Sequence, residues 1–290
     1  MTAEKKQLIR AAAAFCAFLL CVFCVCFPPS ANAASEPQEE DGPKLTAYFF
    51  SAGKADAILL TTENAAVMID CGGNGFGQTI LAYLMEQRID RIDYLIITHF
   101  DKDHIGGSAK IINNFPVDTV LQSTWPKDSS EYEKYLKALD KQDLEAVPVR
   151  EIISFTLDGV VFTVDPPDRE FYEKDNSNNS SLIVTAACGE KTLLFLGDAE
   201  TERLIEYLND APVDCDLLKI PHHGREEVMM RELIAAVKPE YAVICCSDEE
   251  PDIDDTLRTL SDCGTDVFLT FEAPVIASCD GSSISVEYAP

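Results

Sequence analysis

The sequence predicts a layered α/β fold, and three observations carry that expectation. Short apolar runs of strand character recur from Leu45 onward, separated by Gly and Asn turns. Amphipathic helical stretches fall between these runs instead of forming a separate block, which packs helices onto sheets. With 290 residues and 47% hydrophobic content, the chain can fill a sizeable core.

In chain order, Leu45 to Phe50, Asp56 to Thr62 and Ala65 to Ile69 read as three short strands, followed by a helix around Thr79 to Gln87. Tyr94 to Thr98 reads as a fully buried strand, and Gly106-Gly107 is expected to let the chain bend before a short helix reaching Asn113. A strand Thr119 to Gln122 and a charged amphipathic helix Ser129 to Gln142 come next. Strands near Ile152 to Phe155, Val160 to Val164, Leu182 to Ala187 and Thr192 to Leu196 precede a helix Ala199 to Leu208 and a strand Cys215 to Ile220. Helix, strand, helix and terminal strands complete the chain.

The N-terminus reads as separate from the fold. Lys5, Lys6 and Arg10 precede an apolar run, Ala11 to Phe27, and then Ala31-Asn-Ala33, the layout of a secretory signal peptide (1–33) cleaved after Ala33. Without cleavage, the same run would serve as a membrane anchor. Cys16, Cys21, Cys24 and Cys26 follow Phe, Leu, Phe and Val, so none has the small preceding residue that lipidation needs. Residues 34–44 read as a solvated linker and 45–290 as the folded domain. Cys71, Cys188, Cys215, Cys245, Cys246, Cys263 and Cys279 remain, mostly inside apolar runs, where small core residues are the expectation. The export reading also leaves room for one or two disulfides.

Four potential ligands, His99, Asp101, Asp103 and His104, stand within six residues at the end of the strand Tyr94 to Thr98. Imidazoles and carboxylates in this density suit a divalent cation, Zn or Mn. For one His or Asp alone, an ordinary polar loop is the better reading. The chain has only four histidines, however, and the other two are the pair His222-His223 before Gly224. Scattered structural histidines would not sort this way. Asp198 ends another apolar strand, Leu194-Phe-Leu-Gly, where helix N-capping alone would explain it.

Thr98-His-Phe-Asp-Lys-Asp-His104-Ile-Gly-Gly resembles the H-x-H-x-D-H signature of the metallo-β-lactamase superfamily, with Asp101 at the middle His. In that variant it is similar to the hydrolase domain of ComEC-type competence (DNA-uptake) proteins. Asp56-Ala-Ile-Leu-Leu, Met68-Ile-Asp-Cys-Gly-Gly, Asn178-Asn-Ser-Ser-Leu, Leu194-Phe-Leu-Gly-Asp198 and Leu218-Lys-Ile-Pro-His-His-Gly match in order, so the resemblance spans about residues 45 to 288.

It implies a four-layer αββα sandwich and two divalent ions. His99, Asp101 and Asp198 would hold one ion, and Asp103, His104, Asp198 and His222 the other, with Asp198 bridging. His222 is the preferred ligand of its pair, leaving His223 to share the metal or contact substrate. Asp103 would also orient or deprotonate the attacking water. Asp56 and Asp70 read as groups that orient ligands, and Asn178 or Asn179 stands where many relatives carry a third-motif His. Ala55 replaces a usual glycine and Arg225 a usual serine, and neither change removes a ligand.

The function expected is therefore a secreted metal-dependent phosphodiesterase or nuclease, with no stable membrane association after cleavage. A net charge of −27 provides no basic groove for a long polyanion, although the metals, Lys102, Lys219 and Arg225 could grip one phosphodiester. Hydrolysis of a small or cell-wall phosphoester, a lactone or an amide is the alternative enzyme. The non-enzymatic alternative is a metal-binding module.

Overall fold

The computed structural model describes residues 42–210, 212–249 and 253–290. The segment read as a signal peptide, its expected cleavage site and most of the expected linker lie outside the described residues.

Strands β1 (Leu45–Phe49), β2 (Ile58–Thr61), β3 (Ala66–Ile69), β4 (Ile92–Ile97), β5 (Val117–Gln122) and β6 (Ala146–Pro148) build the first sheet. The second contains β7 (Ile153–Leu157), β8 (Val160–Asp165), β9 (Ile183–Cys188), β10 (Lys191–Phe195), β11 (Leu217–Lys219), β12 (Tyr241–Ile244) and β13 (Asp266–Leu269). The chain then returns to the first sheet through β14 (Val275–Cys279) and β15 (Ile284–Tyr288), giving the orders β15-β14-β1-β2-β3-β4-β5-β6 and β13-β12-β11-β10-β9-β8-β7. β3 to β6 run parallel to one another, as do β10 to β13.

The helices are α1 (Gly77–Glu86), α2 (Lys102–Ile105), α3 (Ser108–Asn114), α4 (Ser130–Lys141), α5 (Asn176–Asn179), α6 (Thr201–Asn209), α7 (Met230–Val237) and α8 (Asp254–Cys263). Strand side chains alternate between two faces, and the packing they make resolves the fold into layers. Leu45, Ala47 and Phe49 of β1 meet Phe162, Val184, Leu193 and Phe195 of the second sheet in a core between the sheets. The opposite face of the first sheet, with Leu59, Leu95 and Ile97, packs on Ile80, Ile111 and Tyr135 of the helices α1, α3 and α4. The far face of the second sheet, with Leu194, Leu218 and Ala242, packs on Leu204, Leu233 and Leu260 of α6, α7 and α8. The order is helix, sheet, sheet, helix: an αββα sandwich.

Two local expectations change. β6 has no counterpart in the sequence reading because it is only three residues long, ends in a proline, and is half to fully exposed at a sheet edge. Gly106 and Gly107 both have right-handed backbone angles, so their value is not a left-handed turn. A Cβ on Gly107 would collide with the Cys71 carbonyl and come within 2.8 Å of the Gly77 nitrogen, so the glycine is needed for close approach. Among the described residues, no helix is long and apolar enough to cross a membrane.

Candidate metal centre

Strands of both sheets bring their C-terminal ends together, the usual place for a ligand site in parallel sheets. β3 leads into Asp70, β4 into Thr98 to His104, β10 into Asp198, and β11 into a 3-10 turn, Pro221–Gly224. Backbone bonds lock these loops to each other. Cys71 N–H donates to the His104 carbonyl at 2.7 Å, Asp56 N–H to the Asp103 carbonyl at 3.1 Å, and His222 N–H to the Gly197 carbonyl at 3.2 Å. Gly197, at φ 55°, makes the left-handed turn into Asp198, where a Cβ would come within 3.0 Å of Ser181 and 3.1 Å of Thr98.

Three imidazoles turn the same nitrogen to the centre because each is held by the other. The His104 Nδ1 donates to Asp70 Oδ2 at 2.7 Å, and the His223 Nδ1 to the Cys245 carbonyl at 2.9 Å. Thr98 Oγ1 gives its hydrogen to Asp70 Oδ2 at 2.6 Å, so at 3.1 Å it can only accept from the His99 Nδ1. Asp70 thus orients two histidines, one directly and one through Thr98. The three Nε2 atoms are left free, and all are buried without a hydrogen-bond partner, as is Asp198 Oδ1. The Asp198 Oδ2 sits 3.1 Å from the His104 Nε2 and 3.2 Å from the His223 Nε2. Ring centroids are 4.1 Å apart for His99 and His104, and 5.5 Å apart for His104 and His223. Three imidazole Nε2 atoms and a carboxylate, oriented from behind, form a donor set that fits divalent cations.

Asp103 places Oδ2 3.5 Å from the His223 Nε2, and its side chain is 23% exposed against 4% for Asp198. It is therefore the carboxylate of the cluster that faces the opening. Asp101 is at the margin: its Oδ1 lies 3.9 Å from the His99 Nε2 and is hydrogen-bonded by Lys127 Nζ and Ser177 Oγ. Asp56 and Asp70 both stand behind the histidines, Asp56 with Oδ1 3.5 Å from the His223 Nδ1.

The pair His222-His223 divides differently from the expectation. Both residues have left-handed backbone angles, φ 48° and 55°, and their rings diverge, with centroids 6.3 Å apart. His223 enters the centre, whereas His222 faces Glu200 and Glu227 and has its Nε2 3.5 Å from the Asn178 amide. The expected placement of His222 with Asp103 and His104 is thus corrected to His223. Asn178 likewise joins Glu200, donating at 2.7 Å, and not the imidazole cluster. Asp198 does not cap the following helix; Glu200 holds the N-cap position.

Sequence reasoning also assigned Lys219 to substrate. It is fully buried, ion-paired with Asp56, and donates to the Gly197 carbonyl at 2.9 Å. A lysine between Leu218 and Ile220 on a buried strand was the signal for that role. Nothing in the sequence marked Lys127 or Ser177 as partners of Asp101.

The charges follow from these contacts. Burial opposes a charge on His104, but Asp198 and Asp70 outweigh it and hold the imidazole well above its ordinary range. The same balance, led by Asp198, lifts His223 to about 9. Burial, reinforced by the His104 charge, lowers His99 to about 4. Burial pushes Asp103 and Asp198 up, yet both end well below the usual carboxylate range because His104 and His223 outweigh it. Glu200 is pushed up to about 7, mainly by burial.

A family model described as Metallo-beta-lactamase superfamily matches residues 51–248, more than half of the chain. ComE operon protein 3 of Bacillus subtilis is 26% identical over 66% of this chain and 27% of its own length. Recombination protein 2 of Haemophilus influenzae is 24% identical over 66% of the chain and 23% of its own length. Competence protein ComA of Neisseria gonorrhoeae is 24% identical over 67% and 26%. The chain spans about a quarter of the length of these curated relatives. Among solved structures, the metallo-beta-lactamase fold protein YhfI from Bacillus subtilis aligns with a TM-score of 0.55 at 10% identity, over 84% of this chain and all of that one. CmlA, a diiron beta-hydroxylase from Streptomyces venezuelae, aligns with a TM-score of 0.51 at 17% identity, over 78% of this chain and 52% of its own. These two likenesses concern the fold.

Proposed function

The chain belongs to the metallo-beta-lactamase superfamily, and from that premise we propose that it is a metal-dependent hydrolase of phosphodiesters acting outside the cytoplasm. One observation carries the reading: three buried imidazole Nε2 atoms converge on Asp198, whose Oδ1 has no hydrogen-bond partner, beside the more exposed Asp103. His99, His104, Asp198, His223 and Asp103 would hold two divalent cations, Zn or Mn, with Asp101 at the edge of the His99 side. Such cations supply Lewis-acid activation of water and of the scissile group.

The chain's own residues do the rest. Asp70 fixes the Nδ1 hydrogen of His104 directly and that of His99 through Thr98, keeping both Nε2 atoms aimed inward. Asp103 stays ionised at neutral pH, which suits it to orient a water at the mouth better than to take its proton outright. Lys219 lies behind Asp56 and cannot reach substrate. The names Recombination protein 2 and Competence protein ComA support a nucleic-acid-type bond, while the net charge of −27 favours a short or single-stranded substrate over a groove-bound duplex.

The test is reconstitution of the full chain, stripped by chelator, with Mn²⁺ or Zn²⁺ and assay against bis-p-nitrophenyl phosphate, single-stranded DNA, a lactone and a β-lactam. Metal-restored cleavage of the phosphodiesters is expected. Metal-loaded protein that leaves both untouched overturns the reading.

Metal binding also has an expected pH signature. His104 and His223 have raised pKa values and carry protons at pH 7.5, whereas His99 is already neutral. Ligation needs each Nε2 unprotonated, so about two protons should leave at pH 7.5, one fewer above about pH 9, with affinity rising as pH rises. Calorimetry in two buffers of different ionisation heat measures this number. Release of none would mean that the two imidazoles are neutral in the free protein.

A further inference from the structure

The geometry points to a separate divalent-cation site, for Mn²⁺ or Zn²⁺, held by Glu200, His222 and Glu227 on the wall of the large cavity beside the centre. The Glu200 Oε1 and the Glu227 Oε1 each lie 3.3 Å from the same His222 Nδ1. That nitrogen carries at most one hydrogen, so it can satisfy only one of the two oxygens. The three donor atoms lie within 4.8 Å of one another, and Glu200 and His222 are each only 9% exposed.

Glu227 is oriented from behind through its second oxygen, whereas Glu200 is held at the same oxygen that faces His222. Thr201 Oγ1 donates to the Glu227 Oε2 at 3.0 Å, and the Asn178 amide donates to the Glu200 Oε1 at 2.7 Å. One imidazole nitrogen with two carboxylate oxygens is a mixed set for Zn or Mn; Ca²⁺ prefers six to eight oxygens. The site is distinct from the centre because the His222 ring diverges from that of His223, with centroids 6.3 Å apart, and faces Glu200 and Glu227 instead. The adjoining cavity, about 1080 Å³, is further lined by Glu202, Glu226, Asp254 and Asp255, which outnumber its cations Lys174, Arg225 and Arg258, the last already paired with Asp255. A cation at Glu200 and Glu227 offsets part of this negative wall. None of this depends on the hydrolase reading.

The experiment counts metal. Chelator-stripped full chain is titrated with Mn²⁺ while the free ion is followed by its electron paramagnetic resonance signal. Wild type is expected to bind one equivalent more than Glu227→Gln, and His104→Ala is expected to keep that equivalent until Glu227→Gln is added to it. Circular dichroism checks folding. Should Glu227→Gln not fold, Thr201→Val keeps all three ligands and is expected to weaken this equivalent about 10-fold. Folded Glu227→Gln that binds as many equivalents as wild type, with the same affinities, overturns the inference. Where Thr201→Val serves instead, unchanged affinities overturn it equally.

Discussion

Asp103→Asn is expected to lower hydrolysis by about 10²–10⁴-fold while leaving the fold intact. The carboxylate lies 3.5 Å from the His223 Nε2 and is the open member of the cluster. Asparagine keeps its size but removes the charge that would hold a cation and orient water. Its backbone carbonyl still accepts from Asp56 N–H, so the loop keeps its tie. Steady-state rates on bis-p-nitrophenyl phosphate, with circular dichroism as the folding control, measure the effect. A folded variant at the wild-type rate would remove Asp103 from the mechanism.

Lys219→Met should cost about 3–5 kcal/mol of stability, the penalty for leaving a buried charge without its partner. Lys219 is fully buried, ion-paired with Asp56, and 3.8 Å from Asp198 Oδ1. Methionine fills most of the volume, so the loss measures charge and not packing. The double variant Lys219→Met/Asp56→Asn is expected to recover part of that loss, because the Asp56 carboxylate no longer stands without its cation. Urea unfolding of the three proteins decides. A single variant within about 0.5 kcal/mol of wild type, the ordinary scatter of neutral changes, would sink the ion-pair account.

Much of this architecture was readable because its signals are local. Leu194-Phe-Leu-Gly-Asp198 states a buried strand, a turn and a carboxylate in five residues, and the motif from Thr98 to His104 does the same for the other sheet. What escaped depends on long-range geometry. The choice between His222 and His223 is set by two consecutive left-handed residues, which favourable local propensity would never suggest. Lys219 was misassigned because its partner Asp56 lies on a loop of the other sheet. Glu200 and Glu227 looked like surface acids until folding put them around one imidazole.

The first sheet carries His99, Asp103 and His104, and the second carries Asp198 and His223, so neither sheet owns a full ligand set. A cation seated among them works as a rivet through the seam, and its binding energy adds to the docking of one half on the other. The seam's filling includes Phe49 and Phe195, whose rings stack across the sheets at 6.0 Å. Loosening that layer should therefore leak metal without any ligand being touched. Metal retention is then a gauge of how firmly the two halves are closed.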